Sequence, residues 1–104
     1  MALTINQSIH DTQAVFKITG ELSLYDSPEF KTKIKKALEV SGLTAVLLDM
    51  NDCSYIDSAG LGALFYLKKI FDSAHILFIL KSVSEPVMKL IKLAAMDRLF
   101  TIET

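Results

Sequence analysis

The spacing of apolar residues along the chain changes several times, and each change marks an element. Over residues 3–9, Leu3, Ile5 and Ile9 alternate loosely with polar neighbours, and Ala14-Val15-Phe16-Lys17-Ile18 is a β-favouring run, so both read as strands. The polar His10-Asp11-Thr12-Gln13 between them reads as a hairpin connection, and Gly20-Glu21 ends the second strand. After the loop from Leu22 to Asp26, either Asp26 or Ser27 can cap a helix with Pro28 at its first position. Phe30, Ile34, Ala37 and Leu38 recur along one face of that helix, and Ser41-Gly42 terminates it.

From Thr44 to Met50 the apolar residues run continuously instead of alternating, which is the pattern of a central strand covered on both faces or of a parallel strand. A second helix, roughly 58–72, uses Leu61, Leu64, Phe65, Leu67 and Ile70 to cover the sheet, and Ile76-Leu77-Phe78-Ile79-Leu80 is another buried strand. Ser84-Glu85-Pro86 starts a third helix with Val87, Leu90, Ile91 and Ala94 on one side; Leu99-Phe100-Thr101-Ile102 is a candidate closing edge strand. The order ββαβαβα, with a closing β, predicts an α/β fold. It has a mixed sheet of four to five strands, an N-terminal antiparallel hairpin, parallel crossovers and about three helices. No repeat, linker or low-complexity stretch interrupts it, so residues 1–104 are expected to form a single domain.

Composition narrows the function. With 51% hydrophobic residues the chain can bury a proper core without staples. The lone Cys53 excludes an internal disulfide and a cysteine-based zinc site, and its place beside an apolar run makes it a small buried side chain. Eleven basic and 12 acidic residues give a net charge of −1, which offers no field for nucleic acid. Lys31, Lys33, Lys35 and Lys36 are the densest basic group, and they read as the solvated face of the first helix. No apolar run approaches the ~18 residues of a membrane span, and Met1-Ala2-Leu3-Thr4 does not open a secretory signal, so the expectation is a cytoplasmic protein without membrane insertion, monomer favoured.

Chemistry concentrates in Tyr55-Ile56-Asp57-Ser58-Ala59-Gly60-Leu61-Gly62, a strand-to-helix turn with a hydroxyl at the helix start. Asp and Ser are preferred N-caps, so Asp57-Ser58 has a purely structural explanation. The same position offers unpaired amides and the positive end of a helix dipole, where a phosphate on Ser58 would be held. Gly60 and Gly62 each cost the helix about 0.8–1.0 kcal/mol relative to Ala, so something must approach the backbone there, either another element of the fold or a partner.

Enzymatic readings are weak. Ile56 occupies the place of the first glycine in a Gly-x-Ser-x-Gly elbow, and His10 and His75 lie in a hairpin loop and at a strand start without a second ligand. Gly60-Leu61-Gly62 lacks the context of a phosphate loop or dinucleotide fingerprint. Asp49, Asp52 and Asp57 near one strand end read as turn and cap acids in preference to a metal pocket. No catalytic residue, metal or cofactor is expected.

The pieces Gly20-Glu21-Leu22, Val46-Leu47-Leu48-Asp49, Asp57-Ser58-Ala59-Gly60-Leu61-Gly62 and the helix from Pro86-Val87-Met88-Lys89-Leu90 to Leu93-Ala94 together give a pattern that resembles the STAS family. STAS is the domain of sulphate transporters and anti-sigma factor antagonists, and the resemblance is closest to the bacterial antagonists. It implies a non-enzymatic module whose Ser58 is phosphorylated by a partner that is both a serine kinase and an anti-sigma factor. The unmodified form sequesters that partner, the phosphorylated form releases it, and a serine phosphatase resets the switch. The expected contact surface is the 20–26 loop, with Glu21, Ser23 and Asp26 named in it, the turn Tyr55, Ile56, Asp57, Ser58, Ala59, Gly60, Leu61 and Gly62, and the exposed side of the following helix. The alternative is a STAS subunit docked constitutively in a lipid-transport or other signalling complex, with Ser58 acting only as a helix cap. Three positions depart from the family pattern: Ser23 stands where an acid commonly follows Gly-Glu-Leu, with Asp26 the nearest substitute; Ala95 replaces the glycine often found after Leu-Ala in the last helix; and Asp72-Ser73-Ala74 replaces a Gly-rich turn before the fourth strand. The last two are expected to change loop geometry more than chemistry.

Overall fold

The computed structural model describes residues 2–104. Strands β1 (Thr4–His10) and β2 (Gln13–Leu22) pair antiparallel through the turn Asp11-Thr12, in which Asp11 takes the left-handed conformation that Asp tolerates (φ 55°). Helix α1 (Ser27–Lys35), tightening into a 3₁₀ turn at Lys36–Glu39, leads to β3 (Ala45–Ile56); then follow α2 (Ser58–Ser73), β4 (Leu77–Lys81), α3 (Glu85–Leu93) and β5 (Thr101–Glu103). The sheet order is β1-β2-β3-β4-β5, and every pair after the first is parallel.

The period of two decides which face carries the core. Ala14, Phe16 and Ile18 on β2, Val46, Leu48 and Met50 on β3, and Phe78 and Leu80 on β4 pack in one cluster. Phe30 and Ile34 of α1, Leu64, Leu67 and Phe71 of α2, and Val87 and Ile91 of α3 complete it. Phe71 and Phe78 stack with centroids 5.7 Å apart. The residues between them, Val15 and Leu47 with Lys17, Asp49 and Lys81, point to the other face, where Leu47 is half-buried and Leu77 exposed. Continuous apolar residues in β3 therefore mark a central parallel strand with helices on one face, not a sheet covered on both.

Local expectations are refined at four points. β3 runs on past Met50 to Ile56, because Thr19–Leu22 of β2 pairs with Asp52–Ile56 after two register shifts. Pro28 is the second helical residue, and the N-cap Asp26 makes no side-chain cap bond; its carboxylate accepts from Ser23 Oγ at 3.2 Å. Ala95 lies beyond α3 and not within it: it takes φ 56°, Ala95 N–H donates to Lys92 O and Met96 N–H to Ile91 O, the closing pattern that glycine usually provides. His75 does the same after α2 at φ 60°, so it is a helix-terminating residue and not a strand start.

Candidate functional site

The long pairing of β2 with β3 brings the end of β2 beside the start of α2. Asp57 N–H donates to Leu22 O at 3.3 Å. Asp57 is also the N-cap: Oδ1 accepts from Gly60 N–H at 2.9 Å, while Oδ2 accepts from Leu24 N–H at 2.9 Å. One carboxylate therefore closes the first turn of α2 and pins the 22–26 loop to it. The cap expected of Asp57-Ser58 belongs to Asp57 alone.

Gly60 and Gly62 have different reasons. A Cβ on Gly60 would sit 2.4 Å from Leu22 O and 2.7 Å from Ile56 Cγ1, so the close neighbour is the fold itself. At Gly62 nothing lies within 4 Å, and the position is exposed. Its missing side chain serves no internal packing.

Ser58 is the first residue of α2, exposed, and its hydroxyl has no hydrogen-bond partner among the described residues. It opens on a groove of about 380 Å³ lined by Tyr55, Ile56, Asp57, Ser58, Leu61, Leu90, Leu93 and Ala94. Ile56 (1% exposed) and Leu61 (8%) are buried, as is Gly60; they shape the floor and do not project from it. The rim is apolar and open: Leu93 is 74% exposed, Tyr55 47%, and on the adjoining 22–26 loop Leu24 is 67% and Tyr25 94% exposed. Glu21 pairs backbone to backbone with Tyr55, and Ser23 and Asp26 bond to each other, so these three support the loop that carries Leu24 and Tyr25. Ala59 is half-buried.

The expected contact surface took in the 20–26 loop without singling out Leu24 and Tyr25, and it did not include Leu90, Leu93 and Ala94. The signals were present: an apolar pair in an otherwise polar loop, and Leu93 off the Val87-Ile91 core face of α3. Leu90 and Ala94 read as core by periodicity because the groove lies along the same side of α3 as the sheet.

Among the described residues, Asp57 is the only charged side chain lining the groove. Cys53 is buried under it, and loss of hydration pushes its thiol above the ordinary range, so it stays protonated and unreactive. Asp49 and Asp52 do not join Asp57: Asp49 accepts from Asn51 N–H, and Asp52 pairs with Lys17 at 3.3 Å. Among the described residues no three His, Cys, Asp or Glu side chains form a group that could hold a metal ion, and no helix is long and apolar enough to cross a membrane.

This arrangement of hairpin, parallel strands and a Gly-flanked serine at a helix start has known relatives. The family model described as "STAS domain" matches residues 2–104. The chain belongs to the STAS domain family. Among solved STAS-like structures, a candidate anti-sigma factor antagonist of Thermotoga maritima superposes with a TM-score of 0.85 at 24% identity, over 96% of this chain and 86% of that one. An anti-sigma factor antagonist of Mycobacterium paratuberculosis gives 0.85 at 19%, over 98% and 86%. The Bacillus anti-sigma factor antagonist SpoIIAA, at 18%, gives 0.74 in its unphosphorylated form (99% and 87% covered) and 0.72 in its phosphorylated form (99% and 92%). At such identities the likeness is one of fold.

Proposed function

We propose that this STAS chain is a cytoplasmic, single-domain anti-sigma factor antagonist without enzymatic activity, a binding module switched at Ser58. Unphosphorylated, it sequesters an anti-sigma factor serine kinase; phosphorylated by that kinase, it releases it; a serine phosphatase restores the first state. The observation that carries this reading is an uncommitted, exposed serine hydroxyl at the start of α2, in a groove with exposed Tyr55 and Leu93 and next to a loop, tied to Asp57, that carries exposed Leu24 and Tyr25. Such a rim is a docking surface for a protein, since aromatic and aliphatic anchors dominate interface energetics. Phosphorylation would add about −1.5 to −2 charges at its centre. With no cation lining the groove, a partner closing on Ser58 must bury that charge unpaired; a loss of ~3–5 kcal/mol weakens binding by roughly 10² to 10³ or more.

The test combines mass and affinity. Incubation with ATP and a candidate kinase encoded beside the gene should add one phosphate, located on Ser58. Ser58→Ala should bind that kinase constitutively and Ser58→Asp at least a hundredfold more weakly. Equal affinities of the two variants would refute the switch. An unmodified Ser58 in cells together with a stable non-kinase complex would favour constitutive docking.

A further inference from the structure

The exposed stripe of α2 does not end at Ser58. Gly62, one helical turn on, opens a second recess of about 540 Å³, lined also by Phe65, Tyr66, Lys69, Ile70 and Ser73. Its floor at Gly62 is bare backbone. Lys69 Nζ lies 5.5 Å from the centre of the Phe65 ring, and Lys31 of α1 places Nζ 5.1 Å from the centre of the Tyr66 ring. Lys35, also on α1, donates to the Tyr66 hydroxyl at 3.4 Å. Three cations thus converge on two aromatic rings.

None of those lysines has a carboxylate partner among the described residues; the ion pairs join Lys17 to Asp52 and Lys68 to Asp72. Asp72, the nearest acid along α2, is occupied by Lys68 at 2.8 Å. The solvated face expected of Lys31 and Lys35 is therefore only part of their role. Their ammonium groups lie against or beside the exposed ring of Tyr66, and that of Lys69 lies by the half-buried ring of Phe65, which with Ile70 gives the recess apolar walls. A site of this make-up fits a segment that inserts an apolar side chain and presents carboxylates to the lip.

We infer that the Gly62-Ser73 groove receives an acidic, apolar-anchored segment of the same partner that docks on Ser58. The inference rests on the switch reading. Continuity argues for a single occupant: Ser58, Gly62, Phe65, Tyr66 and Lys69 lie along one side of α2, so a body covering Ser58 and running along the helix reaches the lysines. Three observations set its chemistry: Lys69 in the lining with Lys31 and Lys35 against the adjoining Tyr66, an aromatic wall and a glycine floor. A polyanion such as a bilayer surface is disfavoured, because the chain carries a net charge of −1 and a concave recess suits one inserted side chain better than a flat headgroup layer.

The experiment uses the full chain and the serine kinase encoded beside it as probe. Lys31→Glu combined with Lys69→Glu should weaken binding of the unphosphorylated form about tenfold, and raising salt from ~0.05 to ~0.5 M should weaken the wild type more than this variant. Gly62→Leu, which fills the recess, should weaken binding tenfold or more, while its unfolding midpoint stays at or above that of the wild type, as open space around Gly62 requires. Wild-type affinity in both variants, with Ser58→Asp still releasing the kinase, would overturn the groove and leave the switch intact. Failure of the wild type to bind overturns both. Binding to vesicles with about 30% phosphatidylserine that is lost in the double variant would assign the patch to an anionic surface and overturn the protein segment.

Discussion

The two glycines at the start of α2 make the sharpest test of how this turn is built. Replacing Gly60 by Ala gains about 0.8–1.0 kcal/mol of helix propensity. Against this, the new methyl would lie 2.4 Å from Leu22 O and 2.7 Å from Ile56 Cγ1. Neither neighbour can yield: the first is backbone that accepts from Asp57 N–H, and the second belongs to a side chain 1% exposed. Overpacking of this kind costs about 1–3 kcal/mol, and moving α2 outwards lengthens the bond from Gly60 N–H to Asp57, a cap worth about 1 kcal/mol. The net expectation for Gly60→Ala is a loss of about 1–3 kcal/mol. Gly62→Ala meets nothing and keeps the propensity gain, up to about 0.8 kcal/mol. Urea unfolding followed by circular dichroism reads both, since an unchanged slope with a shifted midpoint reports stability alone. A Gly60→Ala protein as stable as the wild type, or a destabilised Gly62→Ala, would refute the assignment of one glycine to packing and the other to the surface.

Other consequences are equally direct. Ala95→Gly should raise stability by about 0.5–1 kcal/mol, because Ala95 pays for a left-handed conformation (φ 56°) that glycine takes freely; calorimetry would show the gain in melting temperature. Asp57→Ala should cost about 1–2 kcal/mol and speed amide exchange at Leu24 and Gly60, whereas Asp57→Asn should keep most of the cap. Burial raises the Cys53 pKa above the value in the unfolded chain, so the thiol's contribution is intact below the unfolded value and is lost as pH rises through the folded one. Stability should fall more between pH ~8 and ~10 in the wild type than in Cys53→Ala, and a thiol reagent should react only as the protein unfolds.

Much of the fold was legible because one-sided burial leaves a strong periodic signal. Phe30-Ile34 in α1, Leu64-Leu67 in α2 and Val87-Ile91 in α3 are buried as their spacing predicts, and strand β4 lies where its apolar run placed it. What failed to show was set by partners distant in sequence. Asn51-Asp52-Cys53-Ser54 looks like a loop, yet β2 lies alongside and draws it into β3. Ala95 and His75 carry no glycine signal, and their left-handed backbones are imposed by the bonds that close α3 and α2. In the candidate site, the cap at Asp57 was legible from its residue type. The Leu90-Leu93-Ala94 wall was not, because only tertiary packing sets α3 against the turn.

The division between Asp57 and Ser58 has a consequence for how such a switch operates. Were serine the N-cap, its hydroxyl would accept from an amide of the first turn, and modifying it would cost the helix about 1 kcal/mol. Here Asp57 satisfies Gly60 N–H and holds Leu24 N–H, so the scaffold of loop and helix is closed without Ser58. Ser58 is left with an uncommitted hydroxyl beside amides at the positive end of the helix dipole, which can receive a dianion without rearrangement. On the proposed reading, the free energy of modifying Ser58 would act on the docked partner and not on the fold. Under the proposed switch, a serine that reports to a partner requires a neighbour that holds the cap in its place, and Asp57 holds that cap.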